Sequence, residues 1–275
     1  MPIPSPTAPS PSLAPASALA AITPVILTYN EAANLERTLQ PLAWAQRILV
    51  IDSYSTDETL AILAKYPRVE VYQRAFDSHA AQWNYGISLV ETPWVLSLDA
   101  DYCLSEALMQ ELAGLDLEAS TDSYWIPFKY CVFGKPLRGT ILPPRAALFR
   151  PDQAIYSDDG HTQLLQCFGT TARLKSPILH DDRKSLSRWL WAQDRYALLE
   201  VQKQLNTPFK ELGWGDRLRR VPGLSAPIIL FYCLILKGGV FDGWAGWYYA
   251  LQRVVAELIL SLRLIEARIQ ARIQR

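Results

Sequence analysis

Pro93-Trp94-Val95-Leu96-Ser97-Leu98-Asp99-Ala100-Asp101 runs from large apolar side chains straight into two acids one residue apart. A short, nearly continuous apolar run predicts a strand buried on both faces of a parallel sheet. The acids then fall at the strand's carboxyl end, where open α/β sheets bind their ligands. Side chains alternate along a strand, so Asp99 and Asp101 start on one side if strand geometry persists. Two carboxylates at that spacing suit a hard divalent cation that keeps waters and takes its remaining ligands from phosphate. A second reading is available, in which the acids only favour the start of a helix. The motif alone does not choose between the two.

The flanking sequence repeats the arrangement. Residues 22–27 form an apolar run in which Pro24 is tolerable only near the start or on a sheet edge. The run leads into Thr28-Tyr29-Asn30-Glu31 and a helical pattern through Leu35, Leu39 and Leu42. Residues 47–51 predict a second strand ending at Asp52. The polar turn Ser53-Tyr54-Ser55-Thr56-Asp57 then precedes a helix through Leu60 and Leu63. Residues 69–72 predict a third strand, 79–90 a helix and 94–98 the fourth strand, after which Ser105 caps a helix with Leu108 and Leu112 inward. Strands alternating with helices predict an α/β fold with a mostly parallel, doubly wound sheet. Polar clusters at three of the four strand ends favour a ligand crevice over helix capping as the account of the acids. Neither G-x-G-x-x-G nor G-x-x-x-x-G-K-[ST] occurs, which disfavours a dinucleotide fold and a P-loop.

Beyond about Asp122 the texture changes. Residues 124–130 and 146–150 predict strands, Gly134-Lys135-Pro136 a turn, and 173–180 a further strand, which together describe a mixed second half. The polar segment Tyr156-Ser157-Asp158-Asp159-Gly160-His161-Thr162 lies between them. From Ser185 the spacing of Leu186, Trp189, Leu190, Tyr196 and Leu199 is helical. Residues 224–236 carry no charge but are too few to span a bilayer, which takes roughly 20 apolar residues. Residues 217–264 combine an arginine cluster with Trp244, Trp247, Tyr248 and Tyr249, a composition that suits peripheral contact with a membrane interface. The alternative is a helical cap packed on the globular domain.

Half of the 275 residues are hydrophobic, nine of them tryptophan, enough for a sizeable core. Basic and acidic residues balance at 27 each, so there is no electrostatic case for a nucleic-acid partner. Four scattered cysteines without a CxxC pair argue against a disulfide or zinc framework and for a reducing compartment. The organisation expected is a Pro/Ala/Ser-rich disordered leader (1–20), an α/β domain (21–182) and a helical C-terminal region (183–275).

Three motifs in order, Leu27-Thr28-Tyr29-Asn30-Glu31, Asp52-Ser53-Tyr54-Ser55-Thr56-Asp57 and Leu98-Asp99-Ala100-Asp101, resemble the family 2 glycosyltransferases of the GT-A fold. Phe76-Asp77-Ser78-His79-Ala80-Ala81-Gln82-Trp83-Asn84-Tyr85-Gly86 is similar to that family's Ala-, Gln- and Asn-rich helix. Pro177-Ile178-Leu179-His180 and Lys237-Gly238-Gly239-Val240-Phe241-Asp242-Gly243-Trp244 resemble the subgroup of lipopolysaccharide core glucosyltransferases that add β-linked glucose to heptose.

The resemblance implies an inverting, metal-dependent hexosyltransferase. It would use a nucleotide-sugar, a UDP-sugar foremost, and act on a glycan or glycolipid of the cell envelope at the inner face of the cytoplasmic membrane. Residues 21–121 would form the nucleotide-sugar half and 122–182 the acceptor half. Thr28, Tyr29, Asn30 and Glu31 would line the nucleotide pocket, Asp52 would accept from the base and Asp57 would fix its turn. Gln82 and Asn84 would face the nucleotide or sugar, or else only satisfy backbone groups. Asp99 would hold ribose or a metal-bound water, and Asp101 would ligate Mg²⁺ or Mn²⁺. Asp159, Asp158 and His161 are the candidate bases. Other activities compatible with the resemblance are transfer to a polyprenyl phosphate, or an inactive nucleotide-binding scaffold at the membrane.

This chain departs from the family in three places. Tyr54 stands where the family often has glycine, Thr162 follows His161 where the subgroup has glutamate, and residues 139–145 replace an aromatic, glycine-rich segment. If position 54 takes a positive φ, Tyr54 is strained.

Overall fold

Four apolar runs become the parallel strands β1 (Ile22–Thr28), β2 (Ile48–Asp52), β3 (Val69–Gln73) and β4 (Trp94–Asp99). The structure is a computed structural model that describes residues 18–117, 119–159 and 162–274, with Asp159 and Thr162 described for their backbones alone. The helices α1 (Leu35–Leu39), α2 (Thr59–Leu63) and α3 (His79–Ser88) connect the four strands. Strands β1, β2 and β4 are buried on both faces, hence their unbroken apolar character, while β3 at the sheet edge is largely open. Pro24 is accommodated because β1 pairs with β4 from Ile22 but with β2 only from Val25, leaving one side of Pro24 without a strand.

The central sheet has the order β12-β6-β9-β4-β1-β2-β3. Strand β9 (Arg145–Phe149) runs antiparallel to β4 and to β6 (Ser123–Ile126), and β12 (Thr171–Arg173) pairs parallel with β6. A second sheet, β5-β13-β7-β8, joins β5 (Tyr102–Leu104), β13 (Ile178–His180), β7 (Phe128–Val132) and β8 (Lys135–Pro136). This is the α/β, GT-A-like architecture expected, with a mixed second half and a helical C-terminal region. Trp94, Leu96, Leu98, Ile26 and Leu148 lie in the main core under the central sheet.

Several details correct the sequence reading. The strand expected over 124–130 is two strands in two sheets, because Pro127 interrupts the ladder between β6 and β7. The same holds for 173–180, divided around Pro177 into β12 and β13. The bend expected at Gly134-Lys135-Pro136 falls one residue earlier, at Phe133 and Gly134, both with positive φ as a two-residue hairpin turn requires. Asp158 and Asp159 are not in a loop: they close the strand β10 (Ala154–Asp159), paired antiparallel with β11 (Thr162–Cys167). Of the leader expected to be disordered, Ala18–Ala21 forms a 3-10 turn because Ala18 and Leu19 pack on the main core.

Ser105 caps α4 (Glu106–Ala113) as predicted, and Ser185 caps α5 (Leu186–Asn206), each accepting from a backbone N–H three residues on. Beyond α6 (Trp214–Arg219), α7 (Ser225–Phe231) continues through a π-helical turn (Tyr232–Leu236) and a 3-10 turn (Gly239–Asp242) into α8 (Trp244–Ile273). The first turns of α8 pack Ala245, Tyr249 and Ala250 against Val132 and Leu137, and its later turns pack Leu260 and Leu264 against Ala197 and Val201 of α5. Among the described residues no helix is long and apolar enough to cross a membrane.

Candidate active site

The carboxyl ends of β1, β2 and β4 lie side by side, with Thr28 paired to Asp52 and Leu27 to Asp99. The loops after β1 and β2 are sewn together by side chains. Asn30, in the left-handed region at φ 56, offers its Oδ1 to the Thr56 N–H at 2.8 Å, and its own N–H donates to Ser55 Oγ at 2.9 Å. Asp57 accepts from the Thr59 N–H at 3.0 Å and from the Ala32 N–H at 3.2 Å, so it braces α2 and the β1 loop at once. Burial works against its charge, yet the bonds from Thr59 and Ala32 hold the carboxyl below the usual range.

Asp52 ends β2 as expected. It is 0% exposed, and its oxygens accept from Thr28 Oγ1 (3.0 Å), Ser55 N (3.0 Å), Ser55 Oγ (2.5 Å) and Gln73 Nε2 (3.1 Å). Its acceptor capacity is taken up by the turn, so in this structure it positions the loop. Thr28 is likewise buried and committed to Asp52, whereas Tyr29 is exposed beneath the Arg188 guanidinium, 5.4 Å from its ring centre. Tyr54 has φ 59, as feared for a non-glycine at this position. We expect Tyr54→Gly to raise the stability by about 1 kcal/mol in urea denaturation, through relief of the left-handed strain of a half-exposed ring. A loss of stability would show that ring contacts outweigh the strain.

The second group surrounds the paired acids. Strand β13 lies between β5 and β7, in a register that sets His180 opposite both Tyr102 and Tyr130. The two rings flank the imidazole at 5.1 and 4.8 Å, and His180 Nε2 meets Asp101 Oδ2 at 3.0 Å. Burial alone would raise the Asp101 carboxyl; the His180 charge and hydrogen bond, with Lys184 beyond, hold it down to about 2. Burial likewise opposes the His180 imidazolium, and Asp101 outweighs it, so the imidazole pKa rises. Asp99 is pushed the other way: burial and the neighbouring Asp101 charge raise its carboxyl, against Arg145 and the Tyr102 hydroxyl bonded to it. Lys184 Nζ sits 2.5 Å from Glu31 Oε1, and burial lifts the Glu31 carboxyl to about 7 despite that ammonium. Glu31 thus reaches the site as half of an ion pair, with Asn34 donating to its other oxygen at 2.9 Å.

The remaining expected residues divide. Gln82 is buried and satisfied by Ser53 Oγ, the Arg74 carbonyl and the Arg74 guanidinium. Asn84 grips the Tyr156 backbone, donating to its carbonyl at 2.9 Å and accepting from its N–H at 3.0 Å. Both bond within the fold, the alternative role given for them above, and tie α3 to the β2 loop and to β10. Asp158 accepts from the Ala80 N–H at 3.1 Å, in the first turn of α3. His161 and the Asp159 side chain lie outside the described residues.

Four groups were missed by the sequence reading as site residues: His180, Lys184, Tyr102 and Arg145. His180 had a signal, since it ends an apolar triplet with a polar side chain as Asp99 does.

The residues at the end of β4 fit a divalent cation. The Asp101 charge raises the proton affinity of Asp99, and a cation held by the two carboxylates would relieve that repulsion. Among the described residues no three His, Cys, Asp or Glu side chains converge as a closed metal site. A partial set of this kind is what an ion completed by water and phosphate oxygens takes.

The fold and the paired acids are those that the resemblance to GT-A glycosyltransferases implies. Residues 23–150 match the family model described as Glycosyl transferase family 2. An uncharacterized glycosyltransferase of Rickettsia bellii is 31% identical over 104 residues, 38% of this chain; that match spans only 35% of the Rickettsia protein. The lipopolysaccharide core biosynthesis glycosyltransferase LpsC of Rhizobium meliloti is 29% identical over 257 residues, 88% of this chain and 90% of that protein. Among solved structures, mannosyltransferase PcManGT from Pyrobaculum calidifontis, in complex with GDP-Man and Mn²⁺, superposes with a TM-score of 0.49 at 14% identity, over 91% of this chain and 86% of that one.

Proposed function

We propose that the protein is an inverting, metal-dependent glycosyltransferase of cell-envelope polysaccharide synthesis. It transfers a sugar, glucose first among the candidates, from a UDP-sugar to a glycan or glycolipid at the inner face of the cytoplasmic membrane. The observation that carries this reading is the acid pair at the end of β4, with His180 on Asp101 and the Tyr102 hydroxyl and Arg145 on Asp99. The match of residues 23–150 to the family 2 model and the name of the Rhizobium relative support it.

A divalent cation, when bound, neutralises the charge that develops on the leaving diphosphate. Asp101 and Asp99 would hold it, and Lys184 adds a cation beside them. His180 fixes the Asp101 carboxylate, with the Tyr102 and Tyr130 rings against the imidazole. The acceptor oxygen forms its bond to the anomeric carbon as the bond to the diphosphate oxygen breaks on the opposite side, and alignment of the two is what inverts the centre. The hydroxyl proton passes to a carboxylate. The Asp158 carboxylate is already engaged, accepting the Ala80 N–H at 3.1 Å in the first turn of α3. We therefore assign the base to Asp159, with His161 the alternative.

Two measurements test this. Thermal stabilisation across a panel of nucleotide sugars with Mn²⁺ should single out one UDP-sugar, because a ligand that binds only the native state raises its stability. Asp159→Asn should then lower kcat by about 10²-fold or more with donor affinity unchanged. If Asp158→Asn does so instead, the assignment moves by one residue; if neither does, the base is elsewhere.

A further inference from the structure

Helix α8 carries an apolar stripe that nothing among the described residues covers. Trp244, Trp247, Leu251, Leu258, Leu262 and Ile265 are all exposed, at spacings of 3, 4, 7, 4 and 3 that keep them within one narrow arc of the helix. The opposite side of α8 packs on α5 and on the second sheet. The stripe runs for roughly 30 Å. Beside it, the turns leading from α7 expose Phe231, Ile235, Leu236 (65%) and Phe241 (72%).

The charges around the first half of this face have one sign; farther along, Glu257 is buried against Arg219 and Glu266 pairs with Arg263. Residues 221–256 hold only three charged side chains, Lys237, Asp242 and Arg253. The single carboxylate, Asp242, is 5% exposed and taken by Arg138, through its backbone N–H at 2.9 Å and its Nε at 3.3 Å. The cations instead lie over the aromatic rings: Lys135 over Trp244 at 5.7 Å, Arg138 over Phe241 at 5.6 Å and Lys237 over Tyr232 at 5.4 Å. A second copy meeting this face about a two-fold axis would set one cationic rim against another. Anionic headgroups meet the same rim with opposite charge, while the apolar stripe and its tryptophans enter the boundary below them.

We infer that this face docks the protein on an anionic bilayer, with α8 lying in the interface plane. The same helix places the acceptor. Tyr248 and Gln252, next to Trp247 and Leu251 along α8, line a cleft with Tyr130, Phe133, Trp189 and Lys184. Lys184 and Tyr130 belong to the surroundings of Asp101, so docking sets the cleft at the bilayer surface, where an acyl-anchored glycan presents its sugar. That last clause rests on the proposed transferase reading; docking does not, and it is measured without turnover.

The test is co-sedimentation of the full chain with phosphatidylglycerol vesicles and with phosphatidylcholine vesicles. Binding is expected to the first, more weakly to the second, and to fall as salt is raised. Leu236→Ser with Trp247→Ser should lower binding to both at least about tenfold, with the circular dichroism spectrum unchanged because both side chains are exposed. Lys135→Glu with Lys237→Glu should lower phosphatidylglycerol binding about tenfold and spare phosphatidylcholine binding. Failure to pellet with phosphatidylglycerol, or unchanged binding in both double variants, overturns the inference. A dimer in light scattering that the apolar variant dissociates, with no vesicle binding, assigns the face to a second copy instead.

Discussion

Asp101→Asn is expected to lower Mn²⁺-dependent release of UDP from the donor by about 10³-fold, as loss of several kcal/mol of charge stabilisation on the leaving group requires. Asparagine is the informative substitution because it keeps an oxygen 3.0 Å from His180 Nε2 and removes only the charge. Alanine does more damage. Among the described residues His180 Nδ1 is buried without a hydrogen-bond partner, so Asp101→Ala leaves the whole imidazole unsatisfied, at a cost of about 1–3 kcal/mol in folding. The ion pair also has a pH window. Asp101 is depressed to about 2, so its contribution is present above its unfolded value near 4 and is lost as pH falls through 2. His180 is raised, so its contribution is complete below about 6.5 and is lost as pH rises through the higher folded value. The wild type should therefore exceed the asparagine variant in urea stability most between about pH 4 and 6.5, with the difference narrowing on either side. Full UDP release by the asparagine variant would remove Asp101 from the diphosphate site.

The first hundred residues of the domain were legible because each signal in them is local. A strand buried on both faces is an unbroken apolar run, and its polar end is a change visible within three residues; Asp99 and Asp101 announced themselves in this way. The partners of those acids were not legible. His180 lies 79 residues from Asp101 and reaches it only because β13 inserts between β5 and β7, a strand order that no local pattern encodes. The same non-locality joins Arg37 to Asp181 and Asn34 to Asp182 across the start of α1. Roles are hardest to read where one residue type serves two purposes. Asp52, Gln82 and Asn84 have the side chains that bind nucleotides, and those side chains also satisfy buried backbone and loop groups. Only the count of donors and acceptors already around them separates the two uses. The positive φ of Tyr54 was anticipated because that constraint belongs to the turn itself.

Gly246→Ala is expected to be the most destabilising single-methyl change in the C-terminal region, costing about 2–4 kcal/mol in urea denaturation. The first turn of α8 crosses the 3-10 turn at Gly239 with no side chain on either backbone. A Cβ at Gly246 would stand 1.8 Å from the Gly239 carbonyl oxygen and 2.6 Å from its carbon, and a Cβ at Gly239 would stand 2.7 Å from the Cys233 carbonyl oxygen. Those obstacles are backbone, so no rotamer change removes them; α8 must lift away from the turn. Lifting it breaks the bond from the Ile141 N–H to the Tyr249 hydroxyl and opens the Ala245, Tyr249 and Ala250 packing on Val132 and Leu137. It also carries Tyr248 and Gln252 away from the cleft beside Lys184. Gly215→Ala in α6 is the matched control, since a Cβ there meets nothing within 4 Å and alanine gains up to about 1 kcal/mol in helix propensity. A glycine whose only duty was flexibility would show the same small effect at both positions. A large loss confined to Gly246 instead locates the joint between the helical region and the site in that backbone crossing. In that case transfer to the acceptor should fall in the Gly246 variant while UDP-sugar binding at the β1, β2 and β4 loops is retained, a separation measurable as loss of turnover at unchanged donor Kd.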